Sequence, residues 1–210
     1  MKYDVVIVAS GKGNRANLGY NKVFFKMKDQ KTVLDHSIDL FCEDKECNKV
    51  IVVLNKEDID LINQNSKVFT ILGGKQRKDS VKEGLKLVES EYVFVHDAAR
   101  PFIQLEAINK LKASLQNNSA VILAKKATDT IKKVKDNKII STIDRNTIYL
   151  AETPQAFNSK LLKECYERAD DVNFTDDASL VESLGYDVYI VESTSNNKKL
   201  TNPEDFENIW

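Results

Sequence analysis

The feature that most constrains this chain is the alternation of apolar, strand-like runs with stretches of helical periodicity. The strand-like runs occupy residues 3–9, 49–55, 67–74, 92–97, 120–126 and 187–193. Residues 32–42, 79–88 and 104–115 space apolar side chains as one face of a helix requires. Runs that are apolar throughout are typical of parallel strands covered on both faces. We therefore predict an α/β fold, with a Rossmann-like, mostly parallel sheet and helices on both faces.

Composition limits the classes of partner. The 210 residues suffice for one well-packed domain, so residues 1–210 are assigned to a single domain. The net charge of −1 gives no electrostatic reason to expect nucleic acid as a partner. No apolar run approaches the ~20 residues of a membrane helix, so no membrane association is expected. Three cysteines without metal-type spacing, and no visible leader segment, favour a cytoplasmic protein with reduced thiols.

One segment departs from the alternation. Residues 128–146 predict two short strands joined by an Asp-Asn turn, with polar side chains on both faces. A two-stranded ribbon of this kind is only marginally stable alone in water. We therefore expect a β-ribbon arm at about 126–147 that projects from the sheet and packs on a second copy of the chain, which makes a homodimer.

The first strand ends in the loop "ASGKGNR", where Gly11, Gly13 and Ala16 satisfy the dinucleotide pattern G-x-G-x-x-G/A. That fold also needs a helix directly after the loop and an acidic residue at the end of the second strand. Residues 17–21 do not favour a helix, and Asp35 falls inside a helical pattern. A hydride-transferring enzyme is therefore disfavoured.

The same loop suits a nucleoside triphosphate. Backbone amides at Gly11 and Gly13 can approach phosphate oxygens, and Arg15 and Lys22 add two positive charges nearby. Charge that develops during phosphoryl substitution is stabilised by such groups. An ordinary glycine turn flanked by solvated cations remains the alternative.

Two further segments follow strands. In "GGKQRKDSV", Arg77 precedes Asp79 and Ser80 at a predicted helix start, where either of the last two could serve only as the N-cap. In "HDAARP", at the carboxyl end of a strand, Asp97 can accept a hydroxyl or hold a metal, or simply be a turn residue. Arg100 can bind a phosphate, and His96 is expected to be structural.

Nine segments together resemble the 2-C-methyl-D-erythritol 4-phosphate cytidylyltransferase family over nearly the whole chain. In chain order they are "ASGKGNR", "NK", "GGKQRKDSV", "HDAARP", "TDT", "DRN", "TPQAF", "TDDAS" and "NNKKLTNPEDF". The resemblance implies a nucleotidyltransferase domain of the glycosyltransferase-A type. It implies transfer of CMP from CTP to 2-C-methyl-D-erythritol 4-phosphate, with release of pyrophosphate, in the non-mevalonate pathway of isoprenoid biosynthesis. It also implies Mg²⁺ bound mainly through the nucleotide phosphates rather than by a metal site of the protein.

Carried over position by position, the resemblance also implies roles for individual residues. Arg15 and Lys22 would be catalytic, stabilising the charge of the transition state. CTP would be bound by Ala9, Ser10, Gly11, Gly74, Ser80 and Ala98, to which the glycine pattern of the loop adds Gly13. The polyol phosphate would be bound by Asp97, Arg100, Thr130, Arg145, Thr175 and Lys199, with Thr130 and Arg145 supplied by the arm of the partner subunit. Thr175 also fits a helix cap, and Lys198 is an equally basic neighbour of Lys199.

The chain departs from the family's pattern at Ser10, Asn14, Ala16, Asn21, Lys75 and Asn196. Asn21 stands where proline is usual, which is expected to loosen the turn before Lys22. These departures keep two alternatives open. One is a cytidylyltransferase for ribitol 5-phosphate or a related polyol phosphate, and the other is a nucleotide-binding protein that does not catalyse.

Overall fold

The computed structural model describes residues 1–11, 13, 16, 18–169, 174–193 and 196–207. Their strands are β1 (Tyr3–Val8), β2 (Cys47–Leu54), β3 (Val68–Leu72), β4 (Tyr92–Asp97), β5 (Ala120–Lys126), β6 (Ile131–Lys135), β7 (Lys138–Ile143), β8 (Tyr149–Asn158) and β9 (Tyr189–Glu192). Their helices are α1 (Val33–Glu43), α2 (Arg77–Leu85), α3 (Leu105–Leu115), α4 (Ser159–Glu167), α5 (Asp177–Ser183) and α6 (Glu204–Glu207). Within these ranges no helix has both the length and the apolar character needed to cross a membrane.

Seven strands form one sheet in the order β3-β2-β1-β4-β8-β5-β9. Strand β8 runs antiparallel to β4 and β5, whereas the other neighbouring pairs are parallel. The predicted mostly parallel sheet is therefore confirmed. From β1 the chain adds β2 and β3 on one side and then β4 on the other, so the strand order reverses between β1 and β4. Open α/β sheets bind ligands outside the carboxyl ends of the strands at such a reversal.

Helices cover both faces of the sheet, as predicted. One face packs α1 and α3 on the sheet through side chains that include Leu34, Phe41, Ile108, Leu111, Ile7 and Phe94. The other face packs α2, α4 and α5 on the sheet through side chains that include Val81, Leu85, Leu162, Leu180, Val6 and Val95. Full burial of one such side chain contributes about 1.5–3 kcal/mol to folding. The sheet is therefore buried between two apolar layers.

A smaller apolar cluster lies beyond the sheet edge and joins distant parts of the chain. Phe25 and Val33 pack there with Leu200 and Phe206 near the end of the described chain. The rings of Phe25 and Phe206 meet edge to face, with centroids 5.0 Å apart. The backbone N–H of Leu200 also donates to the carbonyl of Ala99 (2.8 Å). The segment after β9 is thereby fixed against the turn that follows β4.

The sequence pattern did not predict helices α4 and α6 or strand β8. Pro154 lies within β8, and a proline ordinarily argues against a central strand because it cannot donate to the ladder. The β5–β8 register shifts at this point: Ile122 pairs with Gln155, whereas Leu123 pairs with Glu152. On the other side, pairing with β4 ends at Gln155. Pro154 therefore occupies an irregularity where no ladder hydrogen bond is required of it.

The predicted ribbon forms as expected. Strands β6 and β7 make a separate two-stranded antiparallel sheet. Asp136 and Asn137 connect them with φ angles of 48° and 60°, the left-handed conformation that two-residue hairpin turns require. Val134, Ile139 and Ile140 are more than half exposed on this ribbon. Exposed apolar side chains on an otherwise polar ribbon agree with the expectation that it packs on another surface.

Candidate active site

A cavity of about 630 Å³ lies at the carboxyl edge of the sheet, where the ends of β1 and β4 meet. Its volume falls within the range of about 300–1,000 Å³ that small-molecule sites occupy. The predicted site residues that line it are Ala9, Ser10, Gly11, Gly13, Lys22, Gly74, Asp97 and Lys199. Residues predicted for the nucleotide and for the polyol phosphate therefore share one space.

Gly13 and Lys22 are in close contact on one wall of the cavity. Gly13 has φ +65°, and a Cβ built on it would lie 3.1 Å from the backbone nitrogen of Lys22. Glycine is thus required by both conformation and space. Lys22 begins a short 3-10 turn, Lys22–Phe24, and only 9% of its surface is exposed. Its position beside the loop amides is therefore well defined.

Asn21 does not loosen the turn before Lys22, contrary to expectation. Its side-chain amide donates to the carbonyl of Ala9 (2.9 Å) and to Oδ2 of Asp58 (2.8 Å). Its Oδ1 accepts from the amide of Val23 (3.4 Å). These contacts replace the rigidity that a proline ring would supply, because they tie the turn to the end of β1.

The opposite wall is the loop before α2. A Cβ on Gly74 would lie 2.2 Å from Cβ of Asp79, so only glycine fits. Ser80 is buried; its Oγ accepts from the amide of Gly74 (3.2 Å) and shares a hydrogen bond with Oγ of Ser10 (2.7 Å). The N-cap residue is Gln76 rather than Asp79 or Ser80, and Asp79 accepts from its amide (2.9 Å) as the third residue of a capping box. Ser80 supports the wall rather than lining it.

Asp97, at the end of β4, lies between two cations. Oδ1 accepts from Nε of Arg77 (3.2 Å), and Oδ2 accepts from Nζ of Lys199 (2.5 Å). Burial would raise the pKa of the Asp97 carboxyl, but Arg77 and Lys199 together hold it well below its ordinary value. Asp97 is therefore a fixed carboxylate, able to accept hydroxyl hydrogen bonds.

Arg100 does not line the cavity, but its largely buried side chain lies among polar groups near this carboxylate. Its Nη1 donates to the carbonyl of Asn197 (2.6 Å) and lies 4.0 Å from Oε1 of Glu152. Nδ2 of Asn197 donates to the carbonyl of Thr153 (2.8 Å). Nε of Arg100 and Oδ1 of Asn197 are buried without a partner among the described residues. Buried polar groups without a partner are uncommon in folded proteins, and each of these two could bind a ligand atom or a water molecule.

His96 holds the turn between Asp97 and Arg100 and is structural, as predicted. Its Nε2 lies 3.2 Å from the carbonyl of Arg100, and its Nδ1 lies 3.2 Å from Oγ1 of Thr153. Since a carbonyl can only accept, Nε2 carries the proton and Nδ1 accepts from Thr153. Oγ1 of Thr153 accepts in turn from the amide of Asp97 (3.0 Å). Burial lowers the pKa of His96 to about 4, so the ring is neutral near pH 7.

Protonation of His96 is expected to destabilise the protein in mild acid. The folded-state pKa of about 4 lies below the ordinary 6.5, so stability is lost as pH falls from 6.5 towards 4. Between pH 7.5 and 4.5 the wild type should lose about 2–3 kcal/mol more unfolding free energy than His96→Gln. Urea denaturation at both pH values measures this difference, and Asp97, Arg100 and Lys199 are common to both proteins. Equal losses would contradict the buried neutral imidazole.

The remaining predicted residues lie outside the cavity lining or outside the described residues. Ala98 is fully buried, with its neighbour Ala99 lining the cavity instead. Thr175 is exposed just before α5, where Asp176 caps the helix. Thr130 and Arg145 are exposed on and beside the ribbon, and Nη1 of Arg145 donates to the carbonyl of Thr128 (2.6 Å). Arg15 lies outside the described residues.

Thr153, Glu152 and Asn197 contact the site although the sequence analysis assigned them no role. Thr153 and Glu152 come from the unpredicted β8, and Asn197 lies two residues before Lys199. The family resemblance includes the motif "TPQAF", which begins at Thr153, and the pair Asn196-Asn197, but it assigned no role to these three side chains. A long-range contact of this kind becomes visible only when the fold brings β8 beside β4.

Neither a resident metal site nor a dinucleotide site fits the described residues. They contain no group of three His, Cys, Asp or Glu side chains placed to hold a metal ion, and Asp97 is already occupied by two cations. Asp35 belongs to the N-terminal cap of α1, where its carboxylate accepts from the amide of Thr32 (2.8 Å). It is therefore not available to bind a ribose at a strand end.

Comparison with known proteins gives a consistent result. Residues 3–209 match the family model described as 2-C-methyl-D-erythritol 4-phosphate cytidylyltransferase. Proteins of that name from Bacillus pumilus and Bacillus velezensis are 41% and 39% identical, covering 98% of this chain and 94% and 93% of theirs. The crystal structure of 4-diphosphocytidyl-2C-methyl-D-erythritol synthase from Anaerococcus prevotii is 31% identical, with a TM-score of 0.88, covering 99% of this chain and 96% of that one.

Proposed function

This chain belongs to the 2-C-methyl-D-erythritol 4-phosphate cytidylyltransferase family, and on that premise we propose that the cavity between β1 and β4 is its active site. The chain is a nucleotidyltransferase that transfers CMP from CTP to 2-C-methyl-D-erythritol 4-phosphate, in the non-mevalonate pathway. One observation carries the site assignment. The glycine loop and Lys22 line the same cavity as Asp97 and Lys199.

The proposed chemistry needs position and charge rather than a nucleophilic side chain. A phosphate oxygen of the polyol phosphate attacks the α-phosphorus of CTP in line, and the bond from that phosphorus to pyrophosphate breaks. The attacking phosphate is already ionised at neutral pH, so no general base is required. Lys22, Gly11 and Gly13 line this cavity, and the lysine ammonium and the two glycine amides would stabilise the charge that develops on the α-phosphate and on the leaving pyrophosphate. Arg15 is proposed to act with them.

The polyol phosphate is proposed to bind at the other end of the cavity. The fixed Asp97 carboxylate would accept hydrogen bonds from the hydroxyl groups of the polyol phosphate. Lys199 and Arg100 would attract the phosphate group. The unsatisfied Nε of the Arg100 guanidinium supports this assignment. Thr175 is proposed to join this end from its exposed position before α5.

We also propose a homodimer in which the ribbon completes the site of the partner subunit. The exposed Thr130 and Arg145, together with the exposed apolar side chains of the ribbon, support a role between two copies of the chain. In this arrangement Arg145 would reach the phosphate of the polyol substrate in the neighbouring site. The domain assignment, residues 1–210 with an arm at about 126–147, follows from the same argument.

Magnesium is proposed to arrive on the triphosphate rather than to reside in the protein. Phosphate oxygens are the hard ligands that Mg²⁺ prefers, and the described residues contain no ligand cluster of their own. When bound, the ion would neutralise phosphate charge. A cytoplasmic location is likewise proposed, on the three free thiols Cys42, Cys47 and Cys165.

One assay tests the function against both alternatives. The protein is incubated with CTP, Mg²⁺ and either 2-C-methyl-D-erythritol 4-phosphate or ribitol 5-phosphate, and pyrophosphate release is followed. We expect faster release with the methylerythritol substrate, together with its CDP-linked product. Faster use of ribitol 5-phosphate would overturn the substrate assignment. If the protein binds CTP but releases no pyrophosphate from it in the presence of either polyol phosphate, it is a non-catalytic nucleotide-binding protein.

A further inference from the structure

Arg77, the first residue of α2, joins two carboxylates from distant parts of the chain. Its Nε donates to Oδ1 of Asp97 (3.2 Å), and its Nη2 donates to Oδ2 of Asp177 (2.8 Å). Asp177 is fully buried at the start of α5, and its other oxygen accepts from the hydroxyl of Tyr166 (2.6 Å). The guanidinium is therefore held by a second carboxylate through a nitrogen that does not contact Asp97.

The two cations that contact Asp97 are held differently. The side chain of Lys199 is 38% exposed, and its described ion pair is with Asp97 alone. Arg77 is bound to a carboxylate that is itself fixed by Tyr166. A substrate phosphate in the cavity would attract the more exposed lysine more readily than the anchored guanidinium. Asp97 would then depend on Arg77, because a nearly buried carboxylate without a partner is strongly destabilising.

We propose that Arg77 is a positioning residue that holds the Asp97 carboxylate in one orientation while the polyol phosphate engages Lys199. The inference rests on the proposed function and adds a residue for which no role was assigned. Arginine suits the task because its planar group donates in two fixed directions at once. Lysine, with one donor centre, cannot reproduce both contacts with the same geometry.

The same contact links the two walls that surround the polyol end. Gln155 of β8 donates to Oδ2 of Asp176 (2.6 Å) and accepts from the amide of Ala178 (3.0 Å), which fixes the start of α5 on the sheet. Arg77, the first residue of α2, connects α2 to the start of α5 through its hydrogen bond to Asp177. A displaced guanidinium would therefore disturb the polyol side of the cavity, whereas the Gly74–Ser80 contact on the nucleotide side does not involve it.

Steady-state kinetics with both substrates test the proposal. Arg77→Gln should raise KM for 2-C-methyl-D-erythritol 4-phosphate by about tenfold or more, with KM for CTP changed by less than about threefold. Arg77→Lys should give an intermediate KM because it restores the charge and one contact. The matched control is Lys78→Gln, which removes a charge from the next position, where Nζ lies over the ring of Phe174 at 5.8 Å. Its KM values should equal those of the wild type.

A second variant keeps the test decisive if Arg77→Gln does not fold. Asp177→Asn leaves Arg77 in place but weakens its anchor, so it should raise the same KM selectively and by a smaller factor. Thermal unfolding of each variant is measured alongside. A loss of stability with equal changes in both KM values, or no KM change in a folded variant, would overturn the positioning role. Failure of the wild type to form product would instead refute the proposed function, whatever Arg77 does.

Discussion

Replacing Lys22 with alanine is expected to lower kcat by about 10²–10³-fold while changing KM for CTP by less than about threefold. Lys22 lines the same cavity as Gly11 and Gly13, where negative charge is proposed to increase as pyrophosphate departs. A charge that matters mainly in the transition state affects kcat rather than ground-state binding. Arg15→Ala is expected to behave similarly, although Arg15 lies outside the described residues.

The control for this variant is Lys28→Ala, an exposed lysine six positions along the chain and outside the cavity lining. Its kcat should equal that of the wild type. Stopped-flow or steady-state measurement of pyrophosphate release gives kcat, and CTP titration gives the binding constant. If Lys22→Ala weakens CTP binding as much as it lowers kcat, the lysine binds the nucleotide uniformly and the transition-state role is wrong.

Arg145→Ala is expected to raise KM for the polyol phosphate strongly and to leave KM for CTP nearly unchanged. Mixing it with Lys22→Ala subunits should then restore activity. In a heterodimer with shared sites, one site combines an intact Lys22 with an intact Arg145, so about half of the wild-type activity returns. The second site of that heterodimer lacks both side chains. At a polyol phosphate concentration well below the raised KM, two nearly inactive preparations should therefore yield an active mixture.

Verified heterodimers, purified through two different affinity tags, make this result unambiguous. A heterodimer of Lys22→Ala with Lys138→Ala provides the control, because Lys138 is an exposed ribbon lysine next to the Asp-Asn turn. No recovery in the first heterodimer would show that each subunit contains its whole site. The fraction of wild-type activity that the heterodimer regains also measures how much the ribbon of one subunit contributes to the active site of the other.

Local patterns predicted the parallel part of the fold well because burial and periodicity act over a few residues. The helix predicted over residues 32–42 and the turn at Asp136 and Asn137 both follow directly from neighbouring side chains. Strand β8 escaped prediction because Pro154 usually excludes a strand. Pro154 fits within β8 because the pairing register of β8 with β5 shifts at this point, and that register is a property of the assembled sheet.

The candidate site was predictable where backbone geometry demands one residue type. Gly13 and Gly74 are examples, since any side chain there would collide with the neighbouring loop or helix. The roles of Arg77 and Asn21 were not predictable, because each depends on a partner far away in sequence. Arg77 needs Asp177, 100 positions on, and Asn21 needs Asp58, 37 positions on. Such pairings are set by topology rather than by local composition.

The apolar cluster of Phe25, Val33, Leu200 and Phe206 gives the two ends of the cavity a common foundation. Phe25 follows the turn of Lys22, and Leu200 follows Lys199 directly. Lys22 and Lys199, the cations proposed to bind opposite reactants, are thus both attached to one apolar cluster, although 177 positions separate them in the chain. A substitution that disrupts this cluster would displace both lysines, so it should raise KM for CTP and KM for the polyol phosphate together.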